Sequence, residues 1–596
     1  MKDWIEKLQQ ALRSEWSHAR QEHAQLRQLS QSEQQALGLV WPILRLTESS
    51  PLYGQQTELW LRTLGPELHG GLQSGDLVRI APSIHSEGIP ATVANVETRT
   101  ATLVTKADEW PPWLGQSDLV VSLDFDSRTY RNYLAGLEKC AEDPTTPLMA
   151  ALMDGTDSAN DSPERPGLYA FEALDDSQAA AARRAMRAQH LALIHGPPGT
   201  GKTHTICAIL SELCLEKGRP LGLADSNAAV DHLTRSLIAR GLDPLRLGSR
   251  YRIAPDVFPY SLHGRMAQHP NQAVLVQLEK EIRRSKGREK GQLVRESRRI
   301  RREMRMEIIQ NAPLLTCTLG SFGRFVGDLD DLHTAVVDEA TQAIEPAIWS
   351  VVPHLKRLVI VGDPQQLGPV VTQPGNLLEH SLMNRLIDRG MEAPMLSVQR
   401  RMSDAIMALV KDRYGPDYRA HESVSMQHFE LQGPLESAQV LWIDTAGYGT
   451  EEAKDSVSHS LYNHCEVRLV EQVVKSLVEQ GIPEAEIGVI APYSAQVSRI
   501  AAAIPDVEVA TVNAYQGREK PVIVCSFVRS NLDGDLGFVK DVRRLTVAAS
   551  RAQSLWIGVG DSATLAYDSS FSALFEVIQS VGIWQTVWEW LFDEED

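Results

Sequence analysis

Residues 196–203 read Gly-Pro-Pro-Gly-Thr-Gly-Lys-Thr. That spacing of Gly196, Pro197, Pro198, Gly199, Thr200, Gly201, Lys202 and Thr203 makes a phosphate-binding loop. Glycines let backbone N–H groups turn inward with no Cβ in the way, and the following helix adds the positive end of its dipole. Lys202 brings charge and Thr203 a hydroxyl for magnesium. Downstream, Val336-Val-Asp-Glu-Ala-Thr-Gln342 ends an apolar run with adjacent carboxylates. Triphosphate hydrolysis has two jobs for such a pair: Asp338 to hold the ion through water, and Glu339 to polarise the attacking water. A further apolar run leads into Val361-Gly-Asp-Pro-Gln-Gln-Leu-Gly-Pro-Val370, which brings Asp363 and Gln366 to the same sheet edge. An amide there can sense a terminal phosphate. The loop alone does not say what the energy is for, since kinases, GTPases, transporters and motors share it.

The elements that must position these groups can be read from apolar runs. His190-Leu-Ala-Leu-Ile-His195 is a buried strand feeding the loop, and Lys202 opens a helix. Strands at 221–224, 314–316, 335–337 and 358–361 alternate with helical stretches, the pattern of a parallel sheet covered on both faces. A second series, with strands at 440–443, 488–491, 522–527 and 555–559, follows residue 386 and has no phosphate loop. Residues 1–37 read as one or two helices. From 39 to 125 short β-rich runs broken by Gly, Pro and Asn predict a small β-barrel, with Trp110 and Trp113 flanking two prolines in it. A helix from Tyr130 to Cys140 and a polar linker from Asp154 to Pro166 complete the approach to the motor. Trp584, Trp588 and Trp590 read as an apolar stripe on a C-terminal helix, and Asp593–Asp596 as a solvated terminus.

At 596 residues the chain is too long for one core, and no stretch approaches the roughly 18 apolar residues of a membrane span. The reading is a cytoplasmic, monomeric, multidomain protein without a secretory signal. Six cysteines lie far apart with no Cys-x-x-Cys, so no zinc module or iron–sulfur cluster is spelled out. His459, His464 and Cys465 are close together, but Asn463 with Glu466 three residues on reads better as a helix capping box. The formal charge of −18 argues against a nucleic-acid partner until its distribution is examined. Between Glu281 and Arg305, eleven basic residues face four glutamates, a local +7. The segment reads as a protruding helix, with either a solvated or a phosphate-binding face.

Taken in order, these motifs resemble superfamily 1 helicases of the 5′-to-3′ branch, specifically the up-frameshift and immunoglobulin-mu-binding group. Leu174-Asp-Asp-Ser-Gln178 is similar to the group's adenine-contacting element, which implies that Gln178 reads the base. Ser226-Asn227 with Ala229-Val-Asp231, and Thr316-Cys-Thr318, resemble its first nucleic-acid-binding motifs. Asp338-Glu-Ala-Thr-Gln342 and Gly362-Asp-Pro-Gln-Gln-Leu367 match the next two, with Gln366 as γ-phosphate sensor. Gln399-Arg-Arg-Met402 implies that Arg401 reaches the nucleotide from the second core. Ala491-Pro-Tyr-Ser-Ala-Gln496 and Thr511-Val-Asn-Ala-Tyr-Gln-Gly-Arg-Glu519 imply strand contacts from Tyr493, Gln496 and Thr511, with Glu519 near the ribose. Val547-Ala-Ala-Ser-Arg-Ala552 implies Arg551 as a second arginine finger.

The resemblance implies an α/β fold of two tandem RecA-like P-loop NTPase domains, at 143–385 and 386–596. A stalk and β-barrel would occupy 1–142, and a basic helical insertion about 255–311. It further implies ATP and Mg2+ as cofactors, and single-stranded DNA or RNA moved 5′ to 3′. Several positions depart from the group. Arg400 stands where a tyrosine stacks on the base, Asp225 replaces a proline, and Asn513 an aspartate. Thr546 replaces an asparagine, Gln553 a lysine, and Pro521 an aspartate. The catalytic set Lys202, Thr203, Asp338, Glu339, Gln366, Arg401 and Arg551 is complete. Arg400 bears on adenine preference, and the last of these departures lie on the strand-coupling side, where Asn513, Pro521 and Thr546 keep open an alternative: an ATP-gated remodelling protein with little strand-separating activity.

Overall fold

The computed structural model describes residues 1–52, 56–65, 67–68, 71–106, 111–143, 145–156, 171–449 and 451–591, with backbone only at 51, 52 and 283. Trp110, most of the expected linker and the acidic terminus lie outside the described residues.

The N-terminal helix Lys2–Leu26 buries Ile5, Leu8 and Leu12, one face at helical spacing, against the helix Arg128–Glu142 and the first α/β core. Between these two helices a closed barrel forms from β1 (Val40–Leu52), β2 (Gln56–Thr63), β3 (Leu77–Ala81), β4 (Ile89–Val96), β5 (Thr100–Thr105) and β6 (Leu119–Leu123). Its strands pair in the order β1-β2-β5-β4-β3-β6, all antiparallel, so no edge is left open. Leu59, Leu61, Val78, Ile80, Val93 and Leu103 fill the interior, the inward half of each alternating pattern. Trp113 packs against that core.

The first α/β core is a parallel sheet of β7 (Leu191–His195), β8 (Arg219–Ala224), β9 (Pro244–Leu247), β10 (Leu314–Thr318), β11 (Leu332–Val337) and β12 (Arg357–Gly362). The order is β7-β12-β11-β8-β10-β9, so the loops after β7, β11 and β12 lie side by side at one edge. The segment between β9 and β10 carries the helices Leu262–Gln268, Gln272–Arg284 and Gly287–Asn311, the last two packed as a hairpin. Past residue 385 the chain still touches this core: His195 N–H donates to Pro394 O at 3.0 Å, and Leu396 N–H to His195 O at 2.9 Å.

The second core is a parallel sheet in the order Glu508–Thr511, Ile487–Ala491, Lys520–Ser526, Ala552–Gly560, Val440–Asp444, Ile583–Thr586. The outer strand corrects the expected tryptophan helix. Gly582 ends the preceding helix where a Cβ would meet Val440 O at 2.7 Å. Ile583-Trp-Gln-Thr586 then pairs in register with Val440–Asp444, Trp584 beside Trp442. Trp588 lies in the 3-10 turn Val587–Glu589 that follows. A β-branched and aromatic run beside an open sheet edge extends the sheet instead of continuing a helix. No helix among the described residues is long and apolar enough to cross a membrane.

A buried charge ties the stalk to the first core. Glu345 accepts hydrogen bonds from Trp4 Nε1 and Trp349 Nε1, both at 2.8 Å, and from Arg385 Nη2 at 2.7 Å. The Arg385 guanidinium also lies 5.0 Å from the Trp4 ring centroid. With Glu345 3% and Arg385 6% exposed, truncating the carboxylate would strand a buried cation. Glu345→Ala is therefore expected to destabilise the stalk-bearing unit by about 3–5 kcal/mol. Urea denaturation should show that unit melting first, and an unchanged midpoint would contradict the pairing.

Candidate functional site

The phosphate loop is shaped by what its carbonyls touch. Gly196 O accepts from Lys202 Nζ at 2.9 Å, Pro197 O from Thr200 Oγ1 at 2.7 Å, and Pro198 O from Tyr418 OH at 2.8 Å. Gly199 O accepts from Arg400 N–H at 2.8 Å, and Thr200 O from Gln178 Nε2 at 2.9 Å. Five successive carbonyls are thus committed. The first-turn N–H groups of the helix Lys202–Leu213, which have no intrahelical acceptor, remain for an anion. Gly199 and Gly201 hold positive φ of 71° and 76°, and a Cβ on Gly201 would lie 2.5 Å from Gln178 Nε2.

Thr203 lies close to Asp338, which is 4% exposed. Burial first, then Glu339, raises the Asp338 carboxyl against the lowering influence of Lys202 and Thr203. These hard oxygen donors fit a magnesium ion. Glu339 sits at positive φ (50°), with Oε1 3.8 Å from Lys202 Nζ and Oε2 accepting from Gln342 Nε2 at 3.0 Å. Asp363 is fully buried; burial works to raise its carboxyl, yet His195, Lys202 and Gln366 hold it below the ordinary value. It accepts from His195 Nε2 at 3.2 Å, Tyr414 OH at 2.8 Å and Gln366 Nε2 at 2.7 Å. The other end of the Gln366 amide accepts from Arg551 Nη2 at 3.2 Å, a contact between the two cores. Burial, then Arg401, pushes Arg551 down to about 10, so it stays charged at neutral pH. Arg401 pairs with Glu519 and donates from Nη1 to Ser550 O at 3.0 Å. Lys202, Thr203, Asp338, Glu339, Asp363, Gln366, Arg401, Glu519 and Arg551 are therefore brought together.

Gln178 and Arg400 occupy different positions from those expected of base contacts. Gln178 is 3% exposed and its amide is taken at both ends, by Thr200 O and by Asp175 N–H at 3.2 Å. Arg400 Nη1 donates to Asp175 Oδ2 at 2.8 Å. Both brace the loop through the helix cap at Asp175. Tyr414 and Tyr418, ring centroids 4.9 Å apart, were not foreseen; only their isolated Tyr-Gly-Pro-Asp-Tyr spacing marks them in the sequence.

A cleft of about 1180 Å3 opens between barrel, stalk and both cores. Among the expected strand contacts, Asn227 and Thr318 line it, as do Asn513 and Gln516 from the second core. Ser226 is exposed at the cap of the helix Asn227–Ala239, while Thr511 caps the turn at Ala514 outside the cleft wall. Thr316 and Gln496 correct the expectation. Thr316 is fully buried with its hydroxyl 2.9 Å from Thr234 Oγ1. Gln496 is fully buried, accepting from Asn463 N–H at 2.9 Å and donating to Ser526 Oγ at 2.9 Å. Neither side chain can reach a strand. Tyr493, 7% exposed, accepts from Arg529 Nη1 at 3.2 Å and also lies off the cleft. Thr546 is fully buried on its own helix.

The cleft's basic wall is made instead by Arg128, Arg250, Arg252, Arg305 and Arg324. Burial and then Arg250, Arg305 and Arg324 push the neighbouring His263 down to about 4. Of the basic run Glu281–Arg305, Arg305 alone among the described side chains lines the cleft. Arg301 is tied to Glu279 at 2.7 Å, and the rest of the run is mainly a solvated face. Arg250-Tyr-Arg252 offered too short a signal to stand out.

No metal-binding group of His, Cys, Asp or Glu is found among the described residues. Asn463 caps the helix His464–Glu479 through Glu466 N–H at 3.2 Å. The Glu466 side chain does not close the expected capping box. It turns inward to accept from Ser526 Oγ at 2.5 Å and Val528 N–H at 2.9 Å.

An AAA domain family matches residues 173–294 and 276–374, and a second AAA domain family matches 378–563. The chain is 31% identical to the DNA-binding protein SMUBP-2 of Mus musculus, covering 96% of this chain and 62% of that one. It thus spans about three fifths of the length of that relative. It is 30% identical to an uncharacterized ATP-dependent helicase of Methanocaldococcus jannaschii, covering 68% of this chain and 71% of the relative. The helicase nonstructural protein 10 of an arterivirus superposes with a TM-score of 0.40 at 13% identity, covering 88% of this chain and 80% of the other.

Two outcomes follow from these contacts. Tyr418→Phe leaves the buried Pro198 carbonyl without its donor, a loss of about 1–3 kcal/mol. Titration with a fluorescent nucleoside triphosphate should show weaker binding, and equal affinity would dissociate Tyr418 from the loop's shape. Burial pushes Glu466 up to about 8 from an ordinary 4.5. Between those values the folded chain keeps a proton the unfolded chain has lost, so stability falls as pH rises through that window. Glu466→Gln should flatten this slope in urea denaturation measured at pH values spanning the window; an unchanged slope would contradict the buried neutral carboxyl.

Proposed function

Because this chain belongs to the superfamily 1 helicases of the up-frameshift and immunoglobulin-mu-binding group, we propose that it hydrolyses ATP to move along single-stranded nucleic acid held in the cleft. The observation that carries this reading is the 3.2 Å contact from Arg551 to Gln366, which joins the second core to a side chain already bonded to Asp363. Opening or closing of the cores changes that contact directly, so the state of the phosphate site is tied to the width of the cleft.

In this reading Lys202 and the loop N–H groups bind the phosphates, and Glu339 takes a proton from the attacking water. Gln366 senses the terminal phosphate, while Arg401 and Arg551 neutralise the charge that develops on it. Thr203 and Asp338 would hold Mg2+, which when bound offsets phosphate charge. The basic cleft wall contacts phosphates and sugars with little sequence preference, and these are common to DNA and RNA. The 5′-to-3′ direction rests on the family resemblance. Asn513 in the cleft, with its side chain 3.2 Å from Arg544 Nη1, favours examining the second reading, an ATP-gated clamp with little strand separation.

ATP turnover is expected to rise when single-stranded DNA or RNA is added, and absence of stimulation by both would overturn the proposal. Glu339→Gln should bind ATP but lose about 10²- to 10⁴-fold in turnover. Unwinding of 5′-tailed duplexes in preference to 3′-tailed ones supports the motor, whereas stimulated turnover with no strand separation on either supports the clamp.

A further inference from the structure

Beside the main cleft lies a second, open pocket of about 400 Å3 between the outside of the barrel and the loop after β9. Its lining includes Trp60, Glu58, Asn95 and Thr102 from the barrel, facing Arg250 and Tyr251 from that loop. Arg250 and Tyr251 line the main cleft as well, so the two spaces share a wall. The volume is within the roughly 300–1,000 Å3 of small-ligand sites.

The pocket is held on both sides. Arg252 Nε donates to Gly75 O at 3.2 Å and Nη2 pairs with Asp76 at 3.4 Å, fastening the loop to the turn before β3. Gly75 holds φ +93°, and a Cβ there would meet Arg252 Cγ at 2.2 Å. On the other side the buried Asp231 accepts from Ala254 N–H at 2.8 Å and from Arg246 Nε at 2.8 Å. Asp231 belongs to a motif expected to touch the strand; its 4% exposure instead makes it the anchor of the pocket's roof.

Its chemistry suits a planar ring with polar edges. On β2, Leu59 and Leu61 point into the barrel core and are fully buried, so Trp60 between them faces outward and is only half-buried. Tyr251 forms part of the wall, with its hydroxyl shielded from the open space. Glu58 and Asn95 add an acceptor and an amide. Arg250 lies 5.1 Å from the Tyr251 ring centroid at the shared wall, and neither it nor Arg324 forms an ion pair among the described residues.

We propose that this side pocket takes one unstacked base of the strand bound in the main cleft. Trp60 stacks on the base, Glu58 and Asn95 meet its polar edge, and Arg250 holds the adjoining phosphate. The inference rests on the reading of the cleft as the strand's site. It adds a base contact to a protein whose other expected contacts are to the backbone.

The test uses the full chain with two oligonucleotides of equal length, one of thymidines and one carrying abasic sites throughout. Trp60→Ala should weaken binding of the thymidine strand by about tenfold, the order of one lost base–aromatic stack. It should leave the abasic strand and strand-free ATP turnover unchanged. Because Trp60 faces away from the barrel core, the barrel should persist, and Trp60→Phe should recover most of the affinity. A 2-aminopurine in the strand should be quenched by the native chain and less so by Trp60→Ala. Equal loss on both strands, or none on either, overturns the pocket while leaving the cleft's reading intact. Failure of the native chain to bind any strand overturns both.

Discussion

Everything at the nucleotide site depends on one constraint: a loop with five consecutive carbonyls turned to partners of its own. An unpaired buried carbonyl is costly, and once each is satisfied the peptide planes have little freedom to rotate. Two of the five donors, Arg400 N–H and Tyr418 OH, come from chain that follows the first core. The loop's shape is therefore not a property of strand, loop and helix alone. Tyr418 stands against Tyr414, which bonds Asp363, so the support of the loop and the support of the edge that carries Asp363 and Gln366 are packed together.

From Asp363 the contacts run to Gln366 and on to Arg551. The site concentrates charge: Arg401 and Arg551 repel one another, and Glu339 and Glu519 offset them. A phosphate group entering between these side chains changes the balance in both cores at once, since low-dielectric surroundings strengthen each interaction. That is the physical basis for reading the site as a coupling device. On the cleft side, Glu15 of the N-terminal helix accepts from Thr372 N–H at 2.7 Å and Gln373 N–H at 3.0 Å. The stalk thus holds the loop that begins at Asp363, linking phosphate edge and cleft wall by a short stretch of chain.

Most strands of both sheets were legible because a parallel sheet covered on both faces demands continuous apolar runs, and 191–194, 335–337 and 555–559 supply them, whereas Pro244–Leu247, Glu508–Thr511 and Ile583–Thr586 were not foreseen. The barrel was legible from alternation and turns. Trp584 was misread because an apolar aromatic stripe fits a helix and an edge strand alike; only the open side of Val440–Asp444 selects between them. Thr316 and Gln496 have residue types and spacing suited to strand contact, but each side chain is spent inside a core. Arg250 and Arg252 meet Arg324 only when the loop after β9 folds beside the segment after β10, and barrel and stalk then form the rest of the cleft wall.

The sequence by itself determined the phosphate loop, its carboxylates, the two arginines and the succession of two parallel α/β cores. Those features depend on local spacing: glycines where a turn needs them, acids at strand ends, apolar runs where both faces are covered. The tertiary structure alone decided the strand order within each sheet, which polar side chains face the cleft, which brace the loop, and where barrel and core leave a second pocket between them. Burial and direction are set by packing between distant segments, and a residue's type does not specify which neighbour will take its hydrogen bond.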